Sequence, residues 1–245
     1  MSEQDNSQEA ERIFTGIVEY CKTYNIPKDD LFEILEDQKV LPMIRGKATE
    51  YIGAAVLSQN LDPREWIVTK LNLNPHPGGG FDEDVSITFR RTGDRFKVET
   101  KNAVRGSFRL SGRIVTVPHF QVKCHRSRSN LARQSTTNDR YLVDDFDLLL
   151  CNPSNAIFRN RSLDRGLPLI TQEDSLQWLR DFYGVQTDDE LRRATYDDWR
   201  ACLPISIADE NGVIPRTPRI QMENDSSWFH LDQLPANLRM LVIGN

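Results

Sequence analysis

Residues 84–101 read DVSITFRRTGDRFKVETK, and this stretch decides the fold. Apolar and polar side chains alternate over 85–89 and again over 96–100, and Thr92-Gly93-Asp94 separates the two runs. A period of two is typical of a β-strand with one buried face, and a short polar turn with glycine joins antiparallel strands. The stretch therefore predicts a hairpin-like pair of strands that ends on Glu99-Thr100-Lys101.

The segments on both sides of this pair predict one helix and two further strands. Residues 46–61 (GKATEYIGAAVLSQNL) place apolar side chains on one helical face, and Asp62-Pro63 predicts the end of that helix. Residues 66–73 alternate apolar and polar side chains, and the apolar run 146–151 (FDLLLC) is typical of a strand buried on both faces. The predicted sheet therefore has at least four strands.

Helical patterns dominate both ends of the chain. Residues 8–24 and 29–37 predict two N-terminal helices. In the C-terminal third, Thr187 is placed to cap a helix that is predicted to run to about Ala201, and a short strand is predicted near 219–223.

These patterns predict an α/β (α+β) protein with a mixed central β-sheet flanked by helices. Residues 1–43 form an N-terminal helical lead-in, residues 44–160 form the core, and residues 161–245 form an extension of helices and strands. We expect the extension to pack on the core as one globular unit, because nothing in its sequence requires a separate domain.

The composition is that of an ordinary globular protein and excludes several classes. Of 245 residues, 38% are hydrophobic, and no window approaches the roughly 18 consecutive apolar residues of a membrane-spanning helix. The first twenty residues are acidic and polar, whereas a signal peptide is basic and then apolar. We therefore expect a cytoplasmic protein without membrane contact. The four cysteines and four histidines lack metal-binding spacings, which argues against a zinc site.

The formal net charge of −5 conceals a segregated basic segment. From Thr100 to Asn138 there is no acidic residue, while the other 206 positions hold 23 basic and 36 acidic residues, a balance of −13. A segment of this kind suits the phosphates of a nucleic acid, although a solvated basic loop has the same composition. The eight cations of this segment are Lys101, Arg105, Arg109, Arg113, Lys123, Arg126, Arg128 and Arg133.

Asp84, Glu99 and Lys101 are the strongest candidates for chemistry. Residues two apart on a strand share a face, so Glu99 and Lys101 project together, and pairing of the two strands can bring Asp84 beside them. Two carboxylates and the carbonyl of Thr100 form a plausible site for Mg²⁺, which prefers oxygen ligands and keeps several waters. Lys101 would then hold the attacking water or stabilise developing negative charge.

Other assignments compete with this one. Asp82 shares a strand face with Asp84 and could replace it as the metal ligand. Gln121-Val122-Lys123 is a second possible triplet but has no aspartate at a comparable distance upstream. Asp37-Gln38-Lys39 has the same spacing within a helical pattern, and Gly78-Gly79-Gly80 lacks the Lys-Ser/Thr continuation of a phosphate-binding loop.

The set of Asp84 and Glu99-Thr100-Lys101, behind a helix that carries Glu50, resembles the PD-(D/E)xK nuclease superfamily. The resemblance covers about residues 44–152 and implies a restriction-endonuclease-like core. It implies that Asp84 and Glu99 bind the metal, that Lys101 assists the water, and that Glu50 contributes a metal or water contact. One departure is that Glu83 stands where the family has proline directly before the aspartate.

The resemblance implies a Mg²⁺-dependent, sequence-specific endonuclease of double-stranded DNA, most like a type II restriction enzyme. Mn²⁺ is expected to substitute for Mg²⁺, and the protein is expected to form a homodimer that cuts both strands. Two alternatives remain open. One is a repair, structure-selective or methylation-dependent nuclease of the same fold, and the other is a non-catalytic DNA-binding protein in which the carboxylates only balance Lys101.

Overall fold

The computed structural model describes residues 3–37, 39–70, 84–126, 139–158 and 172–243. The chain divides into two compact units, residues 1–47 and 48–245. The described residues contain six α-helices: α1 (Glu3–Thr23), α2 (Leu31–Glu36), α3 (Leu41–Asn60), α4 (Glu173–Tyr183), α5 (Asp188–Asp197) and α6 (Leu234–Ile243). The 3-10 helices are short and cover Lys28–Asp30, Ser154–Ile157, Pro204–Ser206 and Leu231–Gln233.

Eight strands belong to the second unit. They are β1 (Trp66–Lys70), β2 (Val85–Phe89), β3 (Arg95–Asn102), β4 (His119–Gln121), β5 (Leu148–Asn152), β6 (Arg200–Cys202), β7 (Arg219–Gln221) and β8 (Phe229–His230). Six of them form one sheet in the order β1-β2-β3-β5-β6-β8, and β4 pairs with β7 separately. All pairings are antiparallel except that of β3 with β5, which is parallel. The predicted mixed α/β class is therefore confirmed.

The apolar run of β5 reflects burial on both faces of the sheet. Leu148 and Leu150 pack into a cluster with Leu57 of α3, whereas Leu149 and Cys151 pack into a second cluster on the opposite face. A strand covered on both faces needs apolar side chains at every position, which removes the alternation seen in strands with one buried face.

The predicted helix from Thr187 to about Ala201 is too long. Thr187 does cap α5, because its side chain accepts a hydrogen bond from the backbone N–H of Glu190, whose carboxylate accepts one in return. The helix ends at Asp197, and residues 199–202 are all buried, as an inner strand requires and a helix with one exposed face does not. Helix α6 was not predicted from the sequence.

Helix α3 lies very close to the middle of the sheet at Gly53. A Cβ atom at this position would stand 2.8 Å from Cγ2 of Thr100 and 3.2 Å from Cδ2 of Leu150. Only glycine allows this approach without displacing the strand side chains. The close contact fixes the helix that carries Glu50 against the strand that carries Glu99 and Lys101.

Candidate active site

Asp84 directly precedes β2 and is held against β3. Val85 pairs with Val98, so the same register sets Asp84 beside Glu99. The backbone N–H and the hydroxyl of Thr100 each donate a 2.9 Å hydrogen bond to Oδ2 of Asp84. The N–H and C=O of a strand residue point to the same side, so the carbonyl of Thr100 also faces Asp84.

Glu99 and Lys101 form an ion pair on the other face of β3 from Thr100. Glu99 is 4% exposed, and the hydroxyl of Tyr141 donates a 3.0 Å hydrogen bond to its Oε1. The ring of Tyr141 lies 5.2 Å from Nζ of Lys101 and 5.5 Å from Cζ of Arg126. Arg126 is in turn paired with Asp145. The glutamate is thus held by one cation and one hydroxyl.

The electrostatics of this cluster are those of a crowded, poorly hydrated site. Burial and the negative charge of Glu99 raise the pKa of Asp84 to about 7, against the opposing effect of Lys101. Burial acts to lower the pKa of Lys101, but the charge of Glu99 outweighs it, and the pKa of Lys101 lies well above its ordinary value. Lys101 is therefore a permanent cation, and Asp84 is the group that changes charge near neutral pH.

Glu50 faces the cluster from α3. Its Oε2 atom lies 2.9 Å from Nζ of Lys70, at the end of β1, and Lys70 pairs with Val85 across the sheet. The negative charge of Glu50 contributes to the raised pKa of Asp84. Glu99, Lys101 and Glu50 thus all lie close enough to Asp84 to change its pKa, near the C-terminal end of β3.

The oxygen atoms near the C-terminal end of β3 are of the type that binds a hard cation. The proposed ligands are the carboxylates of Asp84 and Glu99 and the carbonyl of Thr100; burial, and after it the charge of Glu99, raise the pKa of Asp84. Mg²⁺ is usually held by one or two carboxylates and completes its shell with water and substrate phosphate, so the two carboxylates are of the ligand type that it prefers. Within the described ranges, no group of three or more His, Cys, Asp and Glu side chains is placed to hold a metal.

The predicted DNA-binding cations have different surroundings. Arg109 donates hydrogen bonds to the backbone carbonyls of Gly106 and Phe108, and Arg126 is held by Asp145. Arg113 and Lys123 are exposed, and Arg105 is half-buried. Arg128 and Arg133 lie outside the described residues.

Comparison with protein families, with curated proteins and with solved structures finds no match to this chain. Across the residues that the structure describes, no helix is long and apolar enough to cross a membrane.

The competing assignments are also placed by the structure. Gln121 ends β4 in the two-stranded sheet, outside the six-stranded sheet that carries Glu99. Asp82 and the three glycines lie outside the described residues, as does Gln38 of the other triplet.

Tyr141 and Lys70 also belong to this site, although the sequence did not predict a role for either residue. Tyr141 is 42 positions from Glu99 along the chain, and its hydroxyl reaches that carboxylate only in the folded protein. Lys70 was assigned to a strand without a role, although it ends that strand opposite the residue after Asp84. No local pattern in the sequence marks either residue.

Proposed function

We propose that this protein is a Mg²⁺-dependent, sequence-specific endonuclease of double-stranded DNA, comparable to a type II restriction enzyme. The observation that carries the proposal is the convergence of Asp84, Glu99 and Lys101 around Thr100, near the C-terminal end of β3. Two carboxylates with a permanent cation, in a poorly hydrated setting, suit the hydrolysis of a phosphodiester.

The order of elements supports a restriction-endonuclease-like core. Helix α3 is followed by the antiparallel strands β1, β2 and β3, and β5 then pairs in parallel with β3. Glu99 and Lys101 lie on the third of these strands and Asp84 at the start of the second, the arrangement expected for PD-(D/E)xK nucleases.

The roles follow from the charges. Asp84, Glu99 and the carbonyl of Thr100 would hold Mg²⁺, which when bound lowers the pKa of a coordinated water and offsets charge on the phosphate. Lys101 stays protonated, so it orients the water and stabilises developing negative charge and does not act as a base. Tyr141 fixes the orientation of Glu99.

Arg105 supports a phosphate ligand near this site. It follows Lys101 by four positions, and burial lowers the pKa of its guanidinium. This side chain has no ion pair or hydrogen bond with any described residue. A partly desolvated cation without an anion gains strongly from a phosphate oxygen, so we assign Arg105 to the DNA backbone.

Cleavage of unmethylated plasmid DNA tests the proposal, with Mg²⁺, Mn²⁺, Ca²⁺ or chelator. The wild type should give discrete fragments with Mg²⁺ or Mn²⁺. Lys101→Ala should give none at temperatures where it is folded, although it should melt at a lower temperature because the buried Glu99 loses its counter-charge. Lys97→Ala is the matched control, because Lys97 is exposed on the same strand and should be dispensable. A fully active Lys101→Ala protein would refute the assignment of this site.

A non-catalytic DNA-binding protein is the second candidate, favoured by the pairing of Glu99 with both Lys101 and Tyr141. In that case the carboxylate only balances the lysine, and DNA affinity would fall with salt without any effect of Asp84→Ala. Cleavage restricted to mismatched, branched or methylated DNA would instead indicate a repair or modification-dependent nuclease.

A nuclease with one site per chain requires two copies to cut both strands at a palindrome, so we propose a homodimer.

A further inference from the structure

The two-stranded sheet of β4 and β7 has one apolar and one polar face. Phe120 and Ile220 are paired across it and fully buried. On the opposite face the register sets Gln121 across from Arg219, both half-buried, and His119 across from Gln221. His119 is buried beneath the turn at Gly112, so the accessible part of this face is polar.

The accessible polar side chains of this face have no side-chain partner within the described ranges. Gln121, Arg219, Gln221 and the exposed Lys123 make no side-chain hydrogen bond or ion pair with any residue that the structure describes. The nearby carboxylate of Asp225 is occupied by the backbone N–H groups of Gln221, Ser227 and Trp228. Unused amide and guanidinium groups side by side favour a polar ligand that can satisfy them.

This sheet is joined directly to the strand of the candidate active site. The N–H of Lys123 donates a 3.0 Å hydrogen bond to the carbonyl of Asn102, and the N–H of Val104 donates one of 2.7 Å to the carbonyl of Gln121. Gln121 is thus bonded to the chain three residues beyond Lys101, a separation of about 10 Å at about 3.3 Å per strand residue. That corresponds to about three base-pair steps of DNA.

We propose that the polar face of β4 and β7 enters the major groove of DNA beside the active site, where Arg219 and Gln121 read adjacent base pairs. This inference rests on the proposed function and identifies its specificity determinants. The major groove admits a two-stranded β-ribbon, arginine binds guanine through two hydrogen bonds, and glutamine binds adenine in the same way. Directly opposed side chains start about 5 Å apart, which suits neighbouring base pairs. Lys123 and Arg113 contact the flanking phosphates.

Selection from a random pool of DNA duplexes tests base recognition by Arg219 and Gln121 without requiring cleavage. The Lys101→Ala protein, checked for folding by thermal melting, should enrich one sequence that contains neighbouring guanine and adenine. Adding Arg219→Ala should reduce discrimination at the guanine by about 5- to 150-fold, and adding Gln121→Ala should do so at the adenine. Arg219→Lys keeps the charge and loses the two-pronged geometry, so it should relax the guanine position with little loss of total affinity. Arg193→Ala, an exposed arginine on α5, should leave both positions unchanged.

The outcomes distinguish a failure of base recognition by Arg219 and Gln121 from a failure of the proposed nuclease activity. If the selected sequence is unchanged in the Arg219 and Gln121 variants, or if no sequence is enriched, the groove assignment is overturned. If the wild type cuts DNA at random, nuclease activity is supported and base recognition by β4 and β7 is refuted. If selection depends on Arg219 and Gln121 but Mg²⁺ never supports cleavage, base recognition is supported and the nuclease activity is refuted.

Discussion

The hydroxyl of Tyr141 donates its hydrogen bond to the same oxygen of Glu99 that pairs with Lys101. The ring of that tyrosine also lies against Lys101 and Arg126, so one side chain contacts a carboxylate and two cations. Because Tyr141 is 7% exposed, little water competes for these contacts. Tyr141 therefore restricts the orientation of both charged groups on β3.

Replacing Tyr141 with phenylalanine should lower the rate of Mg²⁺-dependent cleavage by about 10- to 100-fold, because Glu99 loses the donor that orients it. The apparent Mg²⁺ requirement should rise at the same time. Tyr183→Phe is the matched control, since Tyr183 also donates to a carboxylate, that of Asp198. That variant should lose stability without a change in Mg²⁺ requirement, and equal effects of the two variants would contradict the role of Tyr141.

The stability of the protein should depend on pH through Asp84. Its pKa is raised from 3.8 to about 7, so the folded state binds this proton more tightly than the unfolded state. The free energy of unfolding should therefore fall as pH rises from about 4 to 7, by up to about 1.4 kcal/mol per pH unit, and stay low above that range. Urea denaturation at several pH values measures the slope.

Asp84→Asn should remove this fall in the free energy of unfolding between about pH 4 and 7, because asparagine does not ionise. Asp62→Asn is the control, since hydrogen bonds from Arg64 lower the pKa of Asp62 to about 2 and it stays ionised throughout the range. An Asp84→Asn protein with the wild-type slope would disprove the assignment of the raised pKa.

Mg²⁺ should stabilise the wild type at pH 8, where Asp84 is ionised, and much less at pH 5, where Asp84 is protonated. Binding to the folded state alone raises the free energy of unfolding by about 2.7 kcal/mol at a hundredfold excess over Kd. The Asp84→Asn variant should show little of this effect. Equal stabilisation of both proteins in thermal melts would place the metal elsewhere.

Gly53→Ala should destabilise the protein by about 1–3 kcal/mol, because the new Cβ would stand 2.8 Å from Cγ2 of Thr100. Gly46→Ala, on the same helix, has open space around its Cβ position and should stabilise the helix by about 0.5–1 kcal/mol. Chemical denaturation of the two variants compares them directly. A stabilised Gly53→Ala protein would show that α3 and β3 separate easily.

The buried pair of Asp198 and Arg200 should matter for stability alone. Their side chains are 6% and 3% exposed, and the guanidinium donates bonds of 2.7 and 3.1 Å to the carboxylate. Asp198→Asn leaves Arg200 buried without its counter-charge and should cost about 3–5 kcal/mol. Arg64→Met, which removes a largely exposed cation, should change little. Below its melting temperature the Asp198→Asn protein should cleave DNA as the wild type does.

The sequence predicts those parts of the fold in which neighbouring residues carry the information. The alternation before and after Gly93 was sufficient for β2 and β3, and their pairing brings Asp84 to Thr100. The apolar run also predicted β5, although the strand begins at Leu148 and not at Phe146.

Features that depend on distant segments could not be predicted. Arg200 lies in a buried strand and is neutralised there by Asp198, within the segment that was predicted as the end of a helix. The contact of Tyr141 with Glu99 and that of Lys70 with Glu50 require the assembled sheet. The role of each predicted site residue, and the choice between Asp82 and Asp84, stay predictions.

The raised pKa of Asp84 has a practical use in finding functional residues. The carboxylate of Asp84, buried beside Glu99, lowers the stability of the folded protein, and a neutral residue in place of Asp84 should recover that stability. A screen of random variants for heat resistance, made without any substrate, should therefore enrich changes at Asp84 in preference to changes in the surrounding core. The variants that survive heating best would mark the residues that the natural protein keeps for its activity.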